Sequence, residues 1–79
     1  MGNVVQAGAG PNPAHLAASA GGVPMRAPAT TVNKLCLSGL TAIAQAAVQV
    51  ATGYSEIVVA GGTESMSGAP YLVPGRGAA

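Results

Sequence analysis

Cys36 is the only cysteine in the chain, and it stands where a nucleophile would be useful. The residues before it, Ala29 to Leu35, are predicted to form a short strand. Those after it, Leu37 to Thr52, are predicted to form a helix. A thiol at a strand-to-helix junction lies beside free backbone N–H groups and the positive end of a helix dipole. Both favour the thiolate, the form that attacks a carbonyl. The backbone N–H of Cys36 is a candidate donor to the oxyanion such an attack creates. By residue type alone a single cysteine is more often a small buried hydrophobe. The junction is what points to chemistry.

Few other side chains offer an active group. His15 falls on a short helix, where a lone histidine is usually a surface or packing residue. Glu64 follows a strand that ends in Gly61-Gly62, at the edge where α/β folds bind ligands. It reads either as a polar anchor of a site or as a hydrogen-bonded loop carboxylate. The GAGPNP stretch from Gly8 lacks the third glycine and the later acidic residue of a dinucleotide fingerprint, so no such cofactor is expected. One His, one Cys, two Glu and no Asp cannot build a metal centre, and none is expected.

The elements that must position Cys36 alternate. Asn3 to Ala7 reads as a strand entering a loop, and Asn12-Pro13 as the cap and first residue of a helix running to Ala20. Gly21-Gly22 and Pro24 stop it. The strand ending at Leu35, the helix from Leu37 and a strand from Glu56 to Ala60 follow. The order strand, helix, strand, helix, strand predicts an α/β fold built on βαβ crossovers and a parallel sheet. In the long helix Thr41, Gln45, Gln49 and Thr52 form one narrow polar stripe, and every other face is apolar. Such a helix is expected to be buried.

The order of residues carries a family likeness. VNKLCLSGL, an alanine-rich helix and EIVVAGGTESMS resemble the nucleophile region of the thiolase family, the acetyl-CoA acetyltransferases and 3-ketoacyl-CoA thiolases. MGNVVQAGAGPNPAHLAA resembles the strand and helix that precede that cysteine. Leu37 stands where the family most often has Gly, and Thr63 where Met is usual, which bears on pocket shape. The resemblance implies the βαβαβ portion of a five-layered α-β-α-β-α fold, incomplete here. Residues 1–62 would be part of its N-terminal α/β domain, and residues 63–79 the start of a following loop region. It also implies an acyltransferase in which Cys36 carries the acyl group as a thioester, with acyl-CoA and CoA as substrates and no resident cofactor. The partner His, Asn and second Cys of that chemistry belong to later motifs. The chain is therefore expected to be a fragment, inactive by itself, with Met1 an internal methionine of a longer, homo-oligomeric (dimeric or tetrameric) parent. A ketoacyl-synthase-type condensing enzyme and a non-catalytic remnant that only packs with partners are the alternatives.

Composition agrees with a piece that is covered by other protein. Hydrophobic residues make up 49% of the 79 residues, but many are alanine and there is no Phe or Trp. Charged residues are 6%, against about a quarter in ordinary soluble domains. A net charge of +1 without clustered Lys or Arg gives no basis for nucleic-acid or acidic-membrane binding. Leu35 to Thr52 is free of charge, but its Ser, Thr and Gln residues favour a buried helix over a membrane span. MGNVVQAG has no basic, long-apolar leader pattern, and a cytoplasmic location is expected.

Overall fold

The computed structural model describes residues 1–75. Two helices form where local signals place them. Helix α1 spans Pro13–Ala20, with Asn12 as N-cap and Pro at the first helical position. The Asn12 Oδ1 accepts from the His15 N–H at 3.4 Å and from the Thr31 hydroxyl, while its Nδ2 donates to the Ala29 carbonyl at 3.1 Å. One side chain thus caps α1 and ties it to the returning chain. Gly21 closes α1, and Gly22, at φ +94°, turns the chain away. Helix α2 spans Ser38–Ala51. Gly53, at φ +77°, ends it.

The predicted strands do not form as strands. Among the described residues the three extended segments meet only at isolated parallel bridges, Gly2 with Val32 and Gly2 with Gly62. Gly2 N–H donates to Gly61 at 2.8 Å and Thr63 N–H to Gly2 at 3.0 Å. On the other side Asn3 N–H donates to Val32 at 3.0 Å and Val32 N–H to Met1 at 2.9 Å. Met1–Asn3 therefore lies between the other two segments, and the register explains why the ladders are short. With Gly2 opposite Gly62, the segment Glu56–Ala60 has no bridge partner among the described residues. On the other side the pairing ends where the Met1 amino group donates to the Thr30 carbonyl at 2.8 Å. The expected strand Asn3–Ala7 stops at Asn3, because the N–H groups of Val4 and Val5 turn to the Glu64 carboxylate. Of the expected loop region, residues 63–75 are loop-like, and residues 76–79 lie outside the described residues.

The long helix is also less covered than its composition suggests. Ser38 and Ala42 are its only buried residues, while Leu40, Ile43, Val48 and Val50 are exposed. The polar stripe does not coincide with solvent, for Gln49 is half-buried and its amide oxygen accepts from the Ser55 hydroxyl. The reason is quantity of chain. These residues cover one side of α2 and supply nothing for the others. The accessible surface is 6048 Å², whereas a folded monomer of this mass exposes about 4,200 Å².

What does pack is the amino end of α2 on the bridges. A Cβ at Gly2 would collide with the Ser38 carbonyl carbon and lie 2.6 Å from Gly39 N, so only glycine admits this crossing. Gly62 also comes near, where a Cβ would lie 3.4 Å from the Gly39 Cα. The first turn of α2, and with it Cys36, is seated by this close backbone contact.

So much exposed apolar surface has a measurable consequence. The isolated chain is expected to bind a dye such as ANS strongly, to elute ahead of a monomer and to melt without a sharp transition. A dye-silent monomer with a cooperative melt would contradict the open faces of α2.

Candidate functional site

Cys36 precedes the cap of α2, Leu37, and its side chain is exposed. It is not the small buried hydrophobe its residue type suggests. The turn that carries it is built from local hydrogen bonds. Leu37 N–H donates to Lys34 at 3.0 Å and Ser38 N–H to Leu35 at 3.1 Å. The Ser38 hydroxyl accepts from Lys34 N–H at 2.8 Å and donates to the Leu35 carbonyl at 2.6 Å. Asn33 Oδ1 accepts from Leu35 N–H at 3.1 Å. Leu35 itself takes φ +50°, the only non-glycine residue at positive φ among those described. Left-handed backbone costs a branched residue about 1–2 kcal/mol, so the surrounding bonds hold it there.

The turn forms one wall of an open cleft of about 630 Å³. Its lining comes from three separate stretches: Gly2 to Val5, Leu35 to Gly39 without Leu37, and Gly62 to Met66 without Ser65. Val4, Val5, Leu35 and Met66 make it mostly apolar, with Cys36 and Glu64 as the reactive or charged groups. The carboxylate of Glu64 is spent on backbone. Oε1 accepts from Val4 N–H at 2.8 Å and Oε2 from Val5 N–H at 3.0 Å. Of the two readings of Glu64, the geometry is that of a hydrogen-bonded loop carboxylate, and it fixes the wall of the cleft. Asn3 anchors the floor. It is 5% exposed, and its Nδ2 donates to the Thr63 carbonyl at 2.8 Å. Its Oδ1 is buried with no partner among the described residues.

His15 does not line the cleft. No group of three His, Cys, Asp or Glu among the described residues could hold a metal. No helix among them is long and apolar enough to cross a membrane.

Residues 1–78 match the family described as "Thiolase, N-terminal domain". The chain belongs to the thiolase family. The match covers the cleft-forming segments together, and with it the ketoacyl-synthase-type alternative gives way. The thiolase chain is 53% identical to an acetyl-CoA acetyltransferase of Cupriavidus necator over 75 residues, which cover 95% of this chain and 19% of that protein. It is 55% identical to an acetyl-CoA acetyltransferase of Schizosaccharomyces pombe over 74 residues, 94% of this chain and 19% of that one. In structure it is similar to the crystal structure of Acat5 thiolase from Ascaris suum in complex with coenzyme A. That likeness has a TM-score of 0.90 at 44% identity and covers 95% of this chain and 20% of the other. The thiolase chain spans about one fifth of the length of the relatives it matches.

Sequence reasoning singles out Cys36 and weighs Glu64, but assigns nothing to Asn3, Asn33 or Leu35. Asn33 carries a signal: an Asn placed two residues before a turn position commonly bonds the backbone two residues on. Leu35 carries none, because leucine is not a residue that favours positive φ.

Proposed function

We propose that this chain carries the nucleophile of a thiolase-type acyl-CoA acyltransferase, and that Cys36 is that nucleophile. The supporting observation is an exposed thiol at the amino end of α2 on the wall of an apolar cleft, in a chain of this family. The Cys36 sulfur would attack the thioester carbonyl of an acyl-CoA, forming a new carbon–sulfur bond and an oxyanion. Collapse of the oxyanion breaks the bond to the CoA sulfur, and CoA leaves and takes up a proton. A second acyl-CoA, deprotonated at the carbon next to its carbonyl, or CoA itself in the reverse direction, then takes the acyl group and restores the thiol. The backbone N–H of Cys36 is the proposed oxyanion donor.

The cleft lining contains no His and no second Cys. The proton transfers at sulfur and carbon are therefore assigned to groups outside it. On this reading the 79-residue chain alone does not turn over. In a complete enzyme its three extended segments would be lengthened into strands of the five-layered α-β-α-β-α fold, with residues 1–62 in the N-terminal α/β domain and residues 63–79 leading out of it. The exposed faces of α2 would be covered there. A homo-oligomeric, cytoplasmic enzyme belongs to the same proposal.

The test uses a chimera in which this chain replaces the matched segment of the Cupriavidus necator relative. Cys36 should be alkylated by iodoacetamide at pH 7 at least about tenfold faster than glutathione, with acetyl-CoA protecting it. Alkylation at the glutathione rate without protection would favour a chain that only packs with partners.

A further inference from the structure

We propose that Asn33 is a positioning residue for Cys36: its amide joins the nucleophile turn to the opposite wall of the cleft and holds Leu35 in its left-handed conformation. The inference rests on the reading of Cys36 as the nucleophile. The two ends of the Asn33 side chain do different work. Oδ1 accepts from Leu35 N–H at 3.1 Å, and Nδ2 donates to the Val4 carbonyl at 3.3 Å. Only this orientation of the amide satisfies both, because a carbonyl needs a donor and an N–H needs an acceptor. Val4 is itself held from its other side, its N–H donating to Glu64 Oε1 at 2.8 Å. A continuous path therefore runs from the Glu64 carboxylate through Val4 and Asn33 to Leu35, the residue before Cys36.

Leu35 is where that path matters. At φ +50° it is in backbone that a leucine leaves when released, since any L side chain other than that of glycine is crowded there. Relaxation to negative φ rotates the following peptide, and with it the sulfur of Cys36 and the N–H proposed to receive the oxyanion. Asn33 is exposed and touches no reacting atom in this arrangement, so its effect is expected on the acylation step and not on the affinity for acyl-CoA.

Four variants of the chimera test this. Asn33→Ala should slow both Cys36 acylation by acetyl-CoA and Cys36 alkylation by about tenfold, with KM within about twofold of the parent chimera. Adding Leu35→Gly should recover most of that loss, because glycine adopts positive φ without being held. Asn33→Asp, which keeps an acceptor for Leu35 N–H and lacks the donor to Val4, should lose less than Asn33→Ala. Cys36→Ser checks the reading beneath. A loss of acylation rate at an unchanged melting temperature, recovered by glycine, is the outcome a merely stabilising role would not produce. Asn33→Ala at the parent rate, or a loss that Leu35→Gly leaves untouched, overturns the positioning role while the nucleophile stands. If Cys36→Ser still turns over, the nucleophile reading fails, and the alkylation rates of Cys36 in the two Asn33→Ala backgrounds still decide the role of Asn33.

Discussion

Cys36→Ser in the chimera is expected to lower CoA-dependent cleavage of acetoacetyl-CoA by about 10⁴-fold or more, in the range seen when the nucleophile of a covalent catalyst is removed. Serine is close to cysteine in shape but offers a hydroxyl that is almost wholly protonated at neutral pH. Toward a thioester at neutral pH a thiol is a far better nucleophile than a hydroxyl. The residue is exposed and makes no side-chain hydrogen bond that orders the turn, so the melting temperature should move by no more than a degree or two. Loss of turnover with an unchanged melt is the expected pair of results. A variant retaining more than about one per cent of the rate would remove Cys36 from the chemistry.

Gly2→Val should have the largest effect on folding. A Cβ there meets the backbone of Ser38 and Gly39, at 2.7 Å from the Ser38 carbonyl oxygen and 2.6 Å from Gly39 N. These are not side-chain ends that can rotate aside. The first turn of α2 must lift from the bridges, which breaks the crossing that also seats Cys36. Overpacking against movable side chains costs about 1–3 kcal/mol, and a clash with backbone lies at or beyond the upper end. Cooperative folding of the chimera is expected to be lost or its midpoint lowered by more than about 10 °C. Gly61→Ala is the control, since a Cβ there meets nothing within 4 Å. Equal melting of the two variants would show that the Gly2 crossing does not hold the site.

Parts of the site are legible in the sequence alone. The cysteine at the start of a helix is visible in NKLCLSGL, since an apolar helical run opens just after it and closes at Gly53. The role of Glu64 stays open there between anchor and loop carboxylate, because its partners are Val4 and Val5, 60 and 59 residues away in sequence. No local pattern signals which distant N–H groups a carboxylate will find. The burial expected of α2 fails for a related reason. Its apolar faces describe what the helix requires, whereas its exposure depends on how much other chain is present to meet the requirement. The segment Glu56–Ala60, apolar from Ile57 onward, likewise reads as a strand on composition, but a strand exists only with a partner in register.

Local sequence settles what neighbouring residues decide among themselves. Asn12 and Pro13 start α1, glycines at positions 21, 22 and 53 end the two helices, and each acts within a few residues through a cap or a permitted φ. The motif around Cys36 and the segment EIVVAGGTESMS carry the family likeness by the same kind of local identity. Long-range packing settles the rest: that Met1–Asn3 runs between the other two extended segments, and that α2 sits on Gly2 with most of its faces open. It also brings Asn3, Cys36 and Glu64 to one cleft. These contacts join backbone and side-chain groups that lie about 30 to 60 residues apart in the chain. Closing such loops has an entropic cost that only the whole set of contacts offsets, so no single stretch of sequence can specify them.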